Sequence, residues 1–336
     1  MPRISRTLLA AAALAACVHA SPAGAQVLRL AEMTAAQVGR LDRERTVLII
    51  PGSILEEHGP YLPVYTDGYR NERIAAEVAA AVAARPGWTA VVLPTVPLGS
   101  GGFEGVAGRA DYPGTVAVRA ATLRSVFMDL ADDIGARGFR RVFVVHGHGD
   151  PNHNRALDLA GDYFHDTYGG FMVHLLGRRG CQAESASGAP PASLFGPEAA
   201  AADAGSPHAG TLEFSRTLFL RPDLVDTAFV RAPDVTAADP GAWRAAAARP
   251  DWPGYVGAPR FSSWELGRWV YANEARGCTA LALRLLDGLD ERTVPRYADE
   301  MRAIPPVREL VDGLLRDEEA RAARQARWLE RAPKRP

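Results

Sequence analysis

The sequence predicts an α/β fold: three layers, α/β/α, around a mostly parallel sheet. Three observations carry this. Short continuous apolar runs read as strands buried on both faces, segments of helical period separate them, and polar clusters begin directly after two of the runs. Strands alternating with helices build one parallel sheet covered on both sides. In such sheets, sites form beyond the carboxyl ends of the strands. The 336 residues are 47% hydrophobic and 23% charged, ordinary globular composition with material for a core. A formal charge of −1 without a basic cluster leaves no electrostatic case for a nucleic-acid partner.

Residues 1–25 read as a signal peptide. Arg3 and Arg6 precede the apolar stretch from Thr7 to Ala16, and Ala23-Gly24-Ala25 forms a small-residue cleavage site before Gln26. The apolar run is too short to span a bilayer. Leu14-Ala15-Ala16-Cys17 also resembles a lipobox. The expected product is therefore exported, periplasmic or secreted after a cut behind Ala25, with a lipoprotein anchored through Cys17 as the alternative. Cys181 and Cys278 are then either one disulfide or two buried thiols.

One main domain is expected over residues 26–305. A helix is possible within the mixed, polar segment 27–45. Thr46–Ile50 is a buried strand ended by Pro51-Gly52. Glu72–Ala84 has helical spacing, and Thr89–Leu93 is a second strand. Ala117–Gly138 reads as an amphipathic helix with Leu123, Val126, Phe127, Leu130 and Ile134 on one face. Arg141–Val145 is a third strand, Ala156–Tyr168 a helix, Gly170–Leu175 a strand, and Thr279–Leu285 a late strand. Two irregular insertions are expected near 181–206 and 232–263. The charged C-terminal tail, 306–336, reads as a solvated helical face.

Three polar clusters bear on chemistry: Glu56-Glu57-His58 with Asp67, His146-Gly147-His148-Gly149-Asp150, and His208 to Glu213. Imidazole and carboxylate are the usual ligands of Zn²⁺, Mn²⁺ and Fe²⁺. In extended chain, Glu56 and His58 point the same way, as do His148 and Asp150. Gly147 and Gly149 offer freedom to turn tightly around an ion. Neither a phosphate-binding loop nor a Gly-x-Ser-x-Gly nucleophile elbow is present.

On these residues the chain resembles the creatininase family. Pro51 to Pro63 with Asp67 is similar to the family's Pro-x-Gly-Ser-x-Glu-Gln-His-Gly-x-His-Leu-Pro stretch. His146 to Asp150 is similar to its Asn-Gly-His-Gly-Gly-Asn, Tyr112-Pro113-Gly114-Thr115 to its Phe-Pro-Gly-Thr, and His208 to Ser215 to its His-Ala-Gly-x-x-Glu-Thr-Ser. The resemblance implies one or two divalent ions (Zn, Mn or Fe), one held by Glu56, Asp67 and His148, the second by His58 and a bridging Asp67. Asp150 or Glu213 would complete the second set, and His208 would be the acid/base or substrate-orienting histidine, with Glu213 or Glu57 as alternate catalytic proton donors. It also implies a small-molecule substrate and a homo-oligomer, often a hexamer. The departures lie among the neighbours: Gly52-Ser53 shifted by one place, Glu57 for Gln, Tyr61 for His, His146 for Asn, and Phe214 for Thr. They imply a substrate other than creatinine.

The expected activity is metal-dependent hydrolysis of a non-peptide C–N bond in a cyclic amide, amidine or related small substrate. A divalent ion lowers the pKa of its water toward ~7, and two ions polarise a carbonyl. The alternatives are a lactone or deformylase-type hydrolase and a non-catalytic periplasmic binding protein. His153, His165 and His174 read as surface or hydrogen-bonded core residues, Arg109 as a surface arginine, and Trp252, Trp264 and Trp269 as packing residues or pocket lining.

Overall fold

The computed structural model describes residues 26–109, 112–181 and 189–332. The expected leader, with Cys17 and Ala25, lies outside them, as do residues 182–188 of the 181–206 insertion.

Five strands form one parallel sheet: β1 (Gln26–Arg29), β2 (Thr46–Pro51), β3 (Thr89–Val92), β4 (Arg141–Val145) and β5 (Phe171–His174), in the order β1-β3-β2-β4-β5. Alternate residues of each strand face opposite layers. Val47, Ile49, Ala90, Phe143, Val145 and Val173 join one core, and Leu48, Ile50, Val91, Val142, Val144 and Met172 the other. The expected three-layer architecture is therefore present.

The helices are α1 (Ala35–Gly39), α2 (Thr66–Ala83), α3 (Ala120–Ala136), α4 (Pro151–Tyr168), α5 (Pro197–Ala202), α6 (Thr211–Leu220), α7 (Pro240–Ala247), α8 (Trp264–Leu286), α9 (Tyr297–Ala303) and α10 (Pro305–Arg331). Helices α2 and α8 cover the first core, α3 and α4 the second. The chain leaves β2 toward β3 on one side and β4 toward β5 on the other. The crevice between the ends of β2 and β4 is thus the switch point where such sheets bind ligands.

Four expectations are corrected. Thr279–Leu285 is helical, the end of α8. Its Cys278, Leu281, Ala282 and Leu285 continue the helical spacing of Tyr271 and Ala275 onto one core, and a short apolar run does not by itself separate strand from helix. The segment 27–45 supplies edge strand β1 and only the short α1. The two insertions are not wholly irregular, since they contain α5 and α7. The described part of the C-terminal tail, 306–332, is almost wholly one helix, α10, with Val307 and Val311 buried rather than a solvated face throughout.

Two helix starts were placed too late. Helix α2 begins at Thr66, so Asp67 stands in its first turn, where the helix dipole favours a carboxylate. Helix α4 begins at Pro151, with Asp150 as its N-cap.

Cys181 and Cys278 are joined as a disulfide across a separation of 97 residues, tying the start of the 181–206 insertion to α8. Closing so long a loop restricts the unfolded chain and contributes about 2–4 kcal/mol. A reductant, or the pair of substitutions Cys181→Ser and Cys278→Ser, is expected to lower the melting temperature by several degrees. Unchanged melting curves with and without reductant would count against a bond in the folded protein.

Candidate metal centre

The crevice is built from backbone first. Asn71 of α2 donates through Nδ2 to the carbonyls of Gly52 and Gly147, at 2.8 Å each, and so holds the loops after β2 and β4 together. A Cβ at Gly52 would lie 2.5 Å from the Val96 carbonyl oxygen and inside contact with the His146 ring, so this position requires glycine. Gly147 is needed for space as well, against Arg70 and Leu176. Neither it nor Gly149 takes a positive φ, so the left-handed turn these glycines would permit is not used.

Three groups of buried or half-buried side chains bring ligand atoms within 4.8 Å of one another: Glu56, Asp67 and His148; His58, Asp67 and Glu213; and Glu56, His58 and His208. Asp67 belongs to the first two groups. Backbone hydrogen bonds set the histidine tautomers. His58 Nδ1–H donates to the Glu56 carbonyl at 3.1 Å, which leaves Nε2 to face Glu213 Oε2 at 3.7 Å. His148 donates through Nε2 to the Gly101 carbonyl, and its Nδ1 lies 3.1 Å from Glu56 Oε2 and 3.3 Å from Asp67 Oδ2. Pinning one ring nitrogen so that the other presents a lone pair is how metal-binding histidines are oriented. His58 Nε2 is buried with no hydrogen-bond partner. A buried nitrogen left facing carboxylates suits a cation between them, so the donor set fits a divalent ion.

Asp150 stands apart. Its Oδ1 accepts from the His153 N–H at 2.8 Å, capping α4, and among the described residues it joins none of the three groups. Capping the helix accounts for its position. Glu213 occupies the remaining place beside His58 and Asp67.

His208 lies across from Glu56. Its Nε2–H donates to Glu57 Oε1 at 3.1 Å, and its ring stacks on Phe103 with centroids 4.9 Å apart. Glu57, next to Glu56 in sequence, thus turns toward the histidine. The 232–263 insertion supports this arm. Val256 N–H donates to the His208 carbonyl at 3.0 Å, and Asp203 Oδ1 accepts from Thr211 and Ala258 N–H groups at 2.8 and 2.9 Å. Ala209 takes φ 49, a left-handed conformation disfavoured for a residue with a Cβ, and its N–H donates to Glu213 Oε2 at 2.9 Å.

Behind the ligands lies a charged layer that sequence reasoning missed. Glu274 of α8 faces Arg70 at 3.4 Å and Arg216 at 3.5 Å, and Arg216 also pairs with Glu213 at 3.1 Å. The Glu213–Arg216 spacing is a helical i, i+3 pair and was legible. Glu274 was not, because no motif links α8 to the crevice.

Burial and charge act against each other here. Burial would raise Glu56, but His148, His208 and His58 bring it down to about 2. Burial would lower His148, but Glu56 and Asp67 raise it well above the usual imidazole value. Glu213 is held well below the carboxylate range against its burial, chiefly by His58. In the metal-free centre these shifts favour ionised Glu56 and Glu213 and a protonated His148, and an ion held by His148 would have to displace that proton. Metal uptake is expected to release protons near neutral pH, and affinity to rise with pH. Calorimetry of Zn²⁺ binding in buffers of different ionisation enthalpy measures this. Affinity flat between about pH 6 and 8 would rule out His148 as a ligand.

Trp252, Trp264 and Trp269 are not among the residues lining the crevice; Trp243, which the sequence did not single out, is. Trp252 packs against Phe103 and Tyr112 instead. Arg109 donates to the Arg249 carbonyl at 2.9 Å, away from the ligands. His153 and His174 are buried and hydrogen-bonded, to His146 and Asn154.

Fold and site together define a class: a parallel α/β/α protein with a buried carboxylate–imidazole centre, suited to divalent metal, at its switch point. The family model for creatininase, described as creatinine amidohydrolase, matches residues 31–282, and the chain belongs to the creatininase family. A mycofactocin precursor peptide peptidase from Mycolicibacterium smegmatis (strain ATCC 700084 / mc(2)155) is 35% identical over 108 residues, 31% of this chain and 39% of that protein. Its counterpart from Mycobacterium ulcerans (strain Agy99) is 32% identical over 111 residues, 30% and 40% of the two chains. The chain thus spans about two fifths of these curated relatives. Among solved structures, a creatininase variant complexed with creatine is 20% identical with a TM-score of 0.54, covering 77% of this chain and 98% of that one. A manganese creatininase has the same identity and TM-score and covers 77% and 99%. At that identity the likeness establishes the fold.

Proposed function

We propose that the chain is a metal-dependent amidohydrolase that cleaves the C–N bond of an amide larger than creatinine. The observation that carries this is the position of Asp67, shared by two ligand groups, with the His208–Glu57 pair across from Glu56. Glu56, Asp67 and His148 would hold one ion, and His58, Asp67 and Glu213 a second. Bound there, divalent ions supply Lewis acidity toward a carbonyl oxygen.

The chain's own residues do the rest. Glu213 and Glu56 stay ionised at neutral pH and offer charge to the cations. Burial would lower His208, but Glu56 and Glu57 raise it to about 10, so it carries a proton at neutral pH. A protonated imidazole beside the centre is placed to donate to the leaving nitrogen, the step amide cleavage requires. Arg70 and Arg216 brace the ligand carboxylates from behind.

The substrate is read more widely than the sequence suggested. The partial relatives are named peptidases, and the cavity over the centre, about 720 Å³, lies in the range of pockets for drug-sized ligands, about 300–1,000 Å³. Both support a linear or peptide-like amide as well as a ring. The leader pattern supports action outside the cytoplasm, and the Cys181–Cys278 bond suits an oxidising compartment.

The test is elemental analysis of the purified protein, then hydrolysis of a panel holding creatinine, dipeptides and N-acyl amides. Metal in the protein and turnover of an amide other than creatinine are expected. A protein that takes up none of Zn²⁺, Mn²⁺ or Fe²⁺ would sink the reading.

A further inference from the structure

The cavity over the metal centre is lined by two unlike sets of residues. One is the polar set of ligands. The other comes from the C-terminal helices, beyond the segment matched by the family model. Val307, Leu310, Val311 and Leu314 of α10 face the cavity, joined by Met301 of α9 and by Val106. The four α10 positions follow i, i+3, i+4, i+7 and so form one stripe of the helix. Val307 and Val311 are buried, while Leu310 and Leu314 keep part of their surface open. A helix that only closed the core would have no need to leave leucine surface facing a cavity.

The stripe is fixed in place. Asn152, in the first turn of α4 just beyond the His148 loop, donates to the Val311 carbonyl at 2.8 Å. The Glu318 carboxylate accepts from the Ala120 N–H at 2.8 and 2.9 Å, capping α3. Arg302 bridges Asp312 at 2.7 Å and Asn152 at 3.2 Å. Tyr297 donates to the Gly149 carbonyl at 2.9 Å, next to His148. These contacts anchor the apolar wall to the same loops that carry the ligands.

We infer that α10 forms an apolar acceptor subsite, in the cavity it shares with the metal centre, that takes an aliphatic or aromatic group attached to the scissile amide. The inference rests on the metal-centre reading proposed above. The occupant is the substrate's own side chain, because the wall and the ligands line a single cavity. A small cyclic amide at the centre would leave this wall uncovered.

Hydroxamates, which chelate divalent metals, test it without turnover. Acetohydroxamate, 4-methylpentanohydroxamate and 3-phenylpropanohydroxamate would be titrated into the zinc-loaded protein by calorimetry. The two longer compounds are expected to bind about tenfold or more tightly, from burial of the added carbons. In Leu310→Ala and Leu314→Ala that gain should shrink several-fold, with acetohydroxamate affinity unchanged as the sign that the centre and fold persist. Leu310→Met, which keeps the apolar bulk, should retain the gain. Equal affinity of all three compounds for wild type, or a full gain kept in both alanine variants, overturns the subsite. Failure to bind any of them overturns the metal reading and the subsite with it. A protein that shows the gain yet cleaves no amide keeps the subsite and loses only the hydrolase reading.

Discussion

The Asp67→Ala protein is expected to fold, to lose its bound metal and to lose amide turnover by at least ~10³-fold. The magnitude follows from the role of the side chain. Asp67 stands in both proposed ligand groups, so one substitution removes a ligand from each ion. Loss of a mere outer-shell partner typically costs 10–100-fold in metal affinity or activity, and a shared inner ligand must cost more. Folding should survive. Asp67 lies 3.9 Å from Arg70 and 4.0 Å from Arg216, but both guanidinium groups keep Glu274 at 3.4 and 3.5 Å. Neither cation is stranded, and the large penalty for an unpaired buried charge is avoided. Asp67→Asn sharpens the result, since it keeps the shape and removes the charge. The measurements are metal content, melting temperature and kcat/KM on the same preparations. A variant that keeps its metal and its rate would remove Asp67 from the centre.

The site was legible where local sequence carries its geometry. Glu56, His58 and His148 follow directly after buried strands, and the end of a strand at a switch point is where such sheets bind. Long-range pairing was not legible. Whether Asp150 or Glu213 stands beside His58 depends on the cap of α4 and the docking of α6, which meet only in the folded chain. The separation of Asp150 from His58 was legible in part, because Asp150-Pro151 is a helix start, and an N-cap carboxylate is already committed to backbone N–H groups. Glu274 shows the same limit more sharply, since it reaches the crevice from α8, far away in sequence. The misread C-terminal tail has another cause. Its many charges hide a narrow apolar stripe at 307, 310, 311 and 314, and mean composition conceals what periodicity reveals.

Glu57 offers the contrast to Asp67, because its loss should separate catalysis from metal binding. Its Oε1 accepts from His208 at 3.1 Å and its Oε2 from the Gly59 N–H at 3.0 Å, so it both fixes the ring and charges it. Glu57→Ala is expected to retain full metal content and to lower kcat by ~10²-fold, the usual scale for a misplaced general acid. Glu57→Gln separates orientation from charge. The amide oxygen can still accept from His208, but the negative charge is gone. Burial already pulls the His208 pKa down, and Glu56, Glu57 and Glu213 together hold it up at about 10. Removing one of those charges must lower it, so the proton-donating form is lost at a lower pH. The alkaline limb of kcat/KM should therefore move down in pH, with the acid limb unchanged. A purely structural role for Glu57 predicts a different pattern: a lower rate or melting temperature with both limbs in place. If the alkaline limb stays fixed in Glu57→Gln, His208 is not the proton donor, and the Glu57–His208 pair only shapes the pocket.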